Sequence, residues 1–204
     1  MSKKDHWDRI YGEKVEADLS WHQDDPTVSL ELMLQAGLTS KSSVVDIGAG
    51  TSRVVDRLLE LGLCDISVLD LSDCAIKSAR RRLGDRGKKV NWIVADVTTW
   101  KTTRVFDIWH DRAVFHFLVN PADRAAYVDQ LSNSLALDGH AVIATFAPDG
   151  PTKCSGLDVV RYSPESLNEV LGERFTLVTH RFHLHLTPWD LEQSFQYSLF
   201  QKTL

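Results

Sequence analysis

The chain has 204 residues, 43% hydrophobic and 25% charged, proportions of an ordinary globular protein that exclude a disordered, fibrous or low-complexity chain. A chain of this length buries roughly 70% of its unfolded surface, so it needs no disulfide or metal staple to fold. Lys+Arg 23 against Asp+Glu 28 leaves a formal net charge of −5, which argues against general binding to nucleic acid or to an anionic membrane.

Residues 5–36 read as helix in two pieces, broken around Ser20 to Pro26. The second piece carries Val28, Leu30, Leu32, Met33 and Leu34 ahead of a stop at Gly37. Ser43 to Ile47 is a β-branched run ending in Gly48-Ala49-Gly50, and a helix with Val54, Val55, Leu58, Leu59 and Leu61 follows it up to Gly62. The alternation repeats as a strand at Ile66–Leu69, a helix at Asp73–Leu83 stopped by Gly84, and strands at Asn91–Ala95 and Phe106–Trp109. Pro121 opens a helix that runs to about Leu137, where Asp138-Gly139 supplies a turn into a fifth strand, His140–Phe146. Ser163-Pro164-Glu165 opens another helix with a Ser cap followed by Pro. The tail alternates instead, through Phe175, Leu177, Phe182, Leu184 and Leu186 and then Phe195, Tyr197 and Leu199, which predicts two antiparallel strands at the end of the sheet. Strands alternating with helices predict a doubly wound α/β fold, mostly parallel, with helices on both faces. Its ligand belongs outside the carboxyl ends of the strands, where the strand order switches.

No repeat or flexible linker divides the chain, so it reads as one domain: residues 1–42 as a helical lid and 43–204 as the core. Cys64, Cys74 and Cys154 fit neither a CxxC nor a zinc framework and read as reduced, mostly buried thiols of a cytoplasmic protein. The N-terminus carries no apolar signal region and no uncharged run approaches a membrane span, so neither secretion nor insertion is expected. His183-Leu184-His185 sets two imidazoles on one strand face without a third ligand at useful spacing, so no metal site is assigned. His116, between Phe115 and Phe117, reads as a semi-buried structural histidine. Lys77, Arg80, Arg81, Arg82, Arg86, Lys88 and Lys89 read as a solvated helix face and not as a nucleic-acid groove.

The chemistry concentrates on Asp46-Ile47-Gly48-Ala49-Gly50-Thr51-Ser52, a glycine turn between a strand and a helix that lets a ligand approach the backbone. A nicotinamide fingerprint would need a third glycine where Arg53 stands, and Asp46 suits a cationic or hydroxylated partner better than a pyrophosphate. Val45 to Thr51 resembles the first motif of the class I S-adenosylmethionine-dependent methyltransferases, D/E-x-G-x-G-x-G, with Ser52 in place of the third glycine. Asp70, followed by Leu71, matches that family's acidic residue at the end of strand two, which takes the ribose hydroxyls. Asp96, followed by Val97, matches the mark after strand three, which receives the adenine amine. The resemblance runs over most of the chain. It implies a seven-stranded sheet with an antiparallel C-terminal strand, and S-adenosylmethionine held by Asp46, Gly48, Gly50, Thr51, Asp70, Leu71, Asp96, Val97 and Trp21.

In this family the acceptor cleft lies between the loops after strands four and five and the N-terminal segment. These correspond to Trp109-His110-Asp111-Arg112, Phe146-Ala147-Pro148-Asp149 and Trp21-His22-Gln23. No Asn/Asp-Pro-Pro-Tyr/Phe run follows strand four, which argues against DNA adenine or glutamine amide acceptors. Trp21-His22-Gln23, Trp109 to Ala113 and Asp123 to Val128 resemble the small-molecule branch that includes thiopurine and other thiol methyltransferases. The Gly-x-Gly-x-Ser turn with Asp111-Arg112 also resembles a protein-lysine branch, although Ala113 replaces its glycine. The expected reaction is methyl transfer to a small-molecule acceptor, with a protein lysine as the alternative. Transfer is an in-line displacement that depends chiefly on alignment. Where a proton must leave, His110, Asp111 or His22 is the candidate base. Arg112 either meets an anionic acceptor or pairs with Asp111, the pair being favoured, and Trp109 and Trp21 are candidate cleft walls. Two other readings are disfavoured: a nicotinamide oxidoreductase by Arg53, and a non-catalytic binding module by the survival of all three aspartates.

Overall fold

Ser2 caps the first helix, α1 (Lys3–Glu13), with its Oγ accepting from Asp5 N while the Asp5 carboxylate accepts from Ser2 N, both at 3.1 Å. The structure, a computed structural model, describes residues 2–204. A single 3₁₀ turn at Glu16–Asp18 leads to α2 (Thr27–Gln35), followed by β1 (Ser43–Ile47), α3 (Val54–Glu60), β2 (Asp65–Asp70), α4 (Asp73–Leu83), β3 (Val90–Val94) and β4 (Phe106–Arg112). Then come α5 (Pro121–Ser134), β5 (Leu135–Phe146), a hairpin of β6 (Lys153–Cys154) and β7 (Leu157–Asp158), α6 (Pro164–Leu171), β8 (Phe175–Leu186) and β9 (Glu192–Lys202).

The main sheet has seven strands in the order β3-β2-β1-β4-β5-β9-β8, the doubly wound arrangement that the alternation predicts. β1 to β5 are parallel. β9 runs antiparallel to β5, and β8 antiparallel to β9. β1 pairs with β2 on one side and β4 on the other, so the order switches there and leaves a crevice at the carboxyl ends of β1 and β4. One core joins Leu30, Leu32 and Met33 of α2 with Val54, Val55 and Leu58 of α3 and Ile76 and Leu83 of α4. The opposite core joins Tyr127 and Leu131 of α5 and Leu167 and Leu171 of α6 with Phe106 and Trp109 of β4. Because α2 is built into the first core, only the segment ahead of it stands clear of the sheet; α1 buries no residue completely.

Two boundaries differ from the sequence reading, and one hairpin is added to it. β4 continues three residues past Trp109 to Arg112, so His110, Asp111 and Arg112 lie in a strand and not in a loop. α5 ends at Ser134 and β5 begins at Leu135, because Asp138-Gly139 forms an irregularity inside the strand: Asp138 has φ 63°, and the pairing with β4 shifts between Phe106 and Ile108. The β6–β7 hairpin turns on Ser155 (φ 52°) and Gly156 (φ 78°), a pair of left-handed residues that a Ser-Gly step accommodates. Among the described residues no helix is long and apolar enough to cross a membrane. All three cysteines are free; Cys64 is exposed and Cys74 half-buried, so only Cys154 matches the expectation of buried thiols.

Candidate active site

The turn after β1 is forced to be glycine twice over. Gly48 (φ 59°) and Gly50 (φ 55°) are left-handed, and a Cβ on the first would collide with Val114 Cγ2, one on the second with Tyr11 Oη. Asp70, at the end of β2, fixes the turn from the adjacent strand: its Oδ2 accepts from Gly50 N and its Oδ1 from Ser72 N, each at 2.7 Å. Each oxygen keeps lone-pair capacity for a further donor. Burial pushes the Asp70 carboxyl up to about 6 against the pull of those two N–H groups, with the Asp46 and Asp8 carboxylates adding to the rise. Past β3, half-buried Asp96 accepts on Oδ1 from Thr98 N at 2.9 Å and Thr98 Oγ1 at 2.7 Å.

Asp46, 1% exposed at the end of β1, pairs its Oδ1 with His110 Nδ1 at 2.6 Å, and His110 Nε2 in turn meets Ser29 Oγ at 2.9 Å. Asp46 Oδ2 is buried and has no partner, an acceptor waiting for a donor. Arg82, read from the sequence as part of a solvated face, is instead a clamp on the glycine turn. It donates to the carbonyls of Thr51 (2.9 Å) and Ser52 (2.8 Å) while Asp56 and Glu16 hold its other side.

Of these groups Gly48, Asp70 and Asp96 line one cleft that opens to solvent. One end is formed by Asp70, Leu71, Asp96 and Val97, the other by Arg112, Phe146, Cys154, Gln193 and Phe195. The roof is α1, strapped down at its middle by Asp8, which accepts from Ser72 Oγ (2.7 Å) and Cys74 N (3.3 Å). At its start Lys3 Nζ donates to Asp123 of α5 at 2.9 Å. Trp7 packs edge-on against Trp21 and Phe117, and Tyr11 against Trp21, so the strap seals the cleft with aromatic faces. A smaller adjoining cavity is lined by Trp21, His22, Asp46, Gly48, Thr51, His110 and Arg112.

Of the residues expected at the site, Trp21, Gly48, Asp70, Leu71, Asp96, Val97 and Arg112 line the cleft. Asp46, Thr51, His22 and His110 line the smaller cavity, and Gly50 lies beneath Tyr11. Four expectations are corrected. Trp109 is not a cleft wall: β4 turns it into the opposite core, 0% exposed, with Nε1 donating to Tyr127 Oη at 2.8 Å. Asp111, two residues on, shares that face and accepts from Tyr127 Oη (2.6 Å), Val114 N (2.8 Å) and Phe115 N (3.1 Å). Burial pushes its carboxyl up to about 6, and it faces away from the cleft, so it serves no acceptor. His110 is consumed between Asp46 and Ser29. Arg112 does not pair with Asp111, which the strand's alternation places on the other face. Its Nε donates to Tyr197 Oη (2.9 Å) and its Nη1 to Trp21 O (2.8 Å). His22 interacts with Asp24 at 3.2 Å, outside the main cleft.

Sequence reasoning missed Trp7, Tyr11, Phe117, Cys154, Gln193 and Phe195 in the cleft. The spacing of Trp7 and Tyr11, one helical turn apart on a mostly polar α1, was the available signal. Nothing local marks Cys154 or Gln193, which reach the site only through the C-terminal hairpins.

Residues 44–139 match a family model described as a methyltransferase domain. Trans-aconitate 2-methyltransferase of Rhizobium rhizogenes is 29% identical over 128 residues, covering 62% of this chain and 46% of that protein. The chain spans between 13% and 56% of the length of the curated relatives it matches. A solved structure described under the conversion of a disulfide bond into a thioacetal group during echinomycin biosynthesis superposes with a TM-score of 0.77 at 22% identity, covering 98% of this chain and 93% of that one. The N-methyltransferase NodS from Bradyrhizobium japonicum, in complex with S-adenosyl-L-homocysteine, superposes at 0.74 and 20% identity, covering 97% and 98%. At these identities the likeness shows a shared fold.

Proposed function

Since this chain carries, over residues 44–139, a methyltransferase domain of the class I S-adenosylmethionine-dependent family, we propose that it is an enzyme that moves a methyl group from that cofactor to a small-molecule acceptor. The observation that carries the reading is the row of Asp46, Asp70 and Asp96 at the ends of three adjacent strands, around a turn that only glycine can form. The residues present fit the cofactor. Asp70 has acceptor capacity left for ribose hydroxyls, Asp96 for the adenine amine, and Asp46 Oδ2 lacks any donor among the described residues. Three carboxylates also suit a ligand that bears cationic groups. When bound, the cofactor supplies a methyl group on a positively charged sulfur, already activated for in-line displacement.

The chain's own part is positioning. Gly48 and Gly50 admit the ligand to the backbone, Arg82 holds the turn, Leu71 and Val97 flank the adenine end, and the α1 strap excludes water. The cleft offers no ready proton acceptor beside the acceptor end. Burial holds the Cys154 thiol up at about 11 and raises the Tyr11 phenol well above its ordinary value, while His110 and Asp111 are engaged elsewhere. The nucleophile therefore arrives with its lone pair free. The roofed cleft supports a small acceptor, the net charge of −5 supports one other than nucleic acid, and three unpaired cysteines support a cytoplasmic setting. Incubating the protein and cell extract with methyl-labelled cofactor tests this: label is expected in the small-molecule fraction. Label confined to protein bands would replace the acceptor class with protein, and no transfer to any fraction would contradict the enzyme reading.

A further inference from the structure

Among the described residues Arg112 is a cation without an anion. Its three protein contacts are the Tyr197 hydroxyl, the Trp21 carbonyl and the face of Phe195, whose centroid lies 4.9 Å from the guanidinium carbon. None is a carboxylate. Its Nη2 is shut off from water and has no hydrogen-bond partner. A buried guanidinium nitrogen left without an acceptor costs free energy that a bound acceptor would relieve. The surroundings sharpen the asymmetry. Lys3, the other cation on the cleft, is already tied to Asp123. His183 and His185, behind Arg112 on β8, are held neutral by burial and by the guanidinium itself, to about 4 for His185.

Arg112 lines both the smaller cavity beside Asp46 and Gly48 and the acceptor end of the main cleft. Asp46, Asp70 and Asp96 end β1, β2 and β3, whereas Arg112 leaves β4 on the far side and reaches across β5 to Tyr197 and Phe195 of β9. The cleft is thus anionic at one end and cationic at the other. Beside Arg112 stands Gln193, whose Oε1 is likewise buried without a partner, and the remaining wall is apolar, from Val114, Phe117 and Phe146. Resting on the methyltransferase reading, we propose that the acceptor is a small organic acid with an apolar or aromatic body, whose carboxylate docks on the unused N–H groups of Arg112. A planar carboxylate matches the guanidinium fork.

The test is calorimetry on protein saturated with S-adenosylhomocysteine, titrated with benzoate, trans-cinnamate and indole-3-acetate, each beside its primary amide. At least one acid is expected to bind tenfold or more tightly than its amide. In Arg112→Gln that preference falls below twofold while S-adenosylhomocysteine affinity stays within threefold. No acid preference anywhere in the panel overturns the proposal on the wild type alone, whether or not the variant folds. A variant that loses S-adenosylhomocysteine binding while remaining folded, as read by its thermal transition, also overturns it, because Arg112 then serves the cofactor. Failure of the wild type to bind S-adenosylhomocysteine at all would be a different failure, that of the underlying methyltransferase reading.

Discussion

Replacing Asp70 by Asn separates a ligand-binding carboxylate from a structural one. In the folded protein this carboxyl sits at about 6 instead of its ordinary 3.8, so ionisation at neutral pH costs the fold about 3 kcal/mol. Asn removes that penalty. It also turns an NH₂ toward one of the two backbone donors, Gly50 N or Ser72 N, at a cost of about 1–3 kcal/mol. The two effects oppose each other, and urea unfolding of the variant at pH 7 is expected within about 2 kcal/mol of the wild type. Cofactor binding has no such compensation. Loss of charge-assisted bonds to the ribose hydroxyls, each about 1.5–3 kcal/mol, weakens S-adenosylhomocysteine by at least about a hundredfold in calorimetry. The pH dependence follows with its sign. The bound state uses the ionised carboxylate, so wild-type affinity is full above pH 7. It falls as pH drops through about 6, by up to about tenfold per unit, while Asp70→Asn shows no such slope. A variant that binds S-adenosylhomocysteine within threefold of the wild type would refute the reasoning. So would one that loses more than about 4 kcal/mol of stability, since the carboxylate would then be structural.

Gly50→Ala meets both a left-handed backbone and the Tyr11 ring, and is expected to lift the α1 strap and weaken S-adenosylhomocysteine by about tenfold or more; Gly50→Ala with Tyr11→Ala recovers part of the stability lost, which denaturation of the double variant checks. Trp109→Ala removes a fully buried ring from the α5 side and should cost about 3–5 kcal/mol in urea unfolding, with S-adenosylhomocysteine affinity of the folded fraction unchanged within threefold. His116 is held down at about 3, by burial first and Arg112 second, so its neutral form is required by the fold and stability drains as pH falls below its ordinary 6.5. His116→Phe keeps the packing against Phe117 and Phe146 and lacks that drain. Between pH 6.5 and about 4.5 the wild type should lose about 2–3 kcal/mol more than this variant, measured by denaturation at each pH.

The doubly wound sheet was legible because β-branched runs alternate with apolar helical stripes, several of them closed by glycine or opened by proline, and the tail's alternation announced the antiparallel β8–β9 pair. The cofactor end was legible for the same reason: Asp46, Asp70 and Asp96 follow their strands directly, so position along the chain fixes position in space. The acceptor end was not. Reading β4 as ending at Trp109 placed Trp109, His110, Asp111 and Arg112 together in a loop, whereas three further residues of strand send Trp109 and Asp111 to one face and His110 and Arg112 to the other. Arg112's neighbours, Phe195, Tyr197 and Gln193, lie some eighty residues away in sequence and meet it only through sheet order. Arg82 was misread because its helix is basic throughout, and nothing local distinguishes the one arginine that turns inward to the Thr51 and Ser52 carbonyls.

Titration of the wild-type protein with S-adenosylhomocysteine tests the central claim most directly. Calorimetry is expected to show one saturable site with a dissociation constant in the micromolar range or tighter. At a hundredfold excess over that constant the ligand should stabilise the fold by about 2.7 kcal/mol, visible as a raised Tm. No heat of binding and no shift in Tm at millimolar ligand would contradict the assignment of Asp46, Asp70 and Asp96 as a cofactor site.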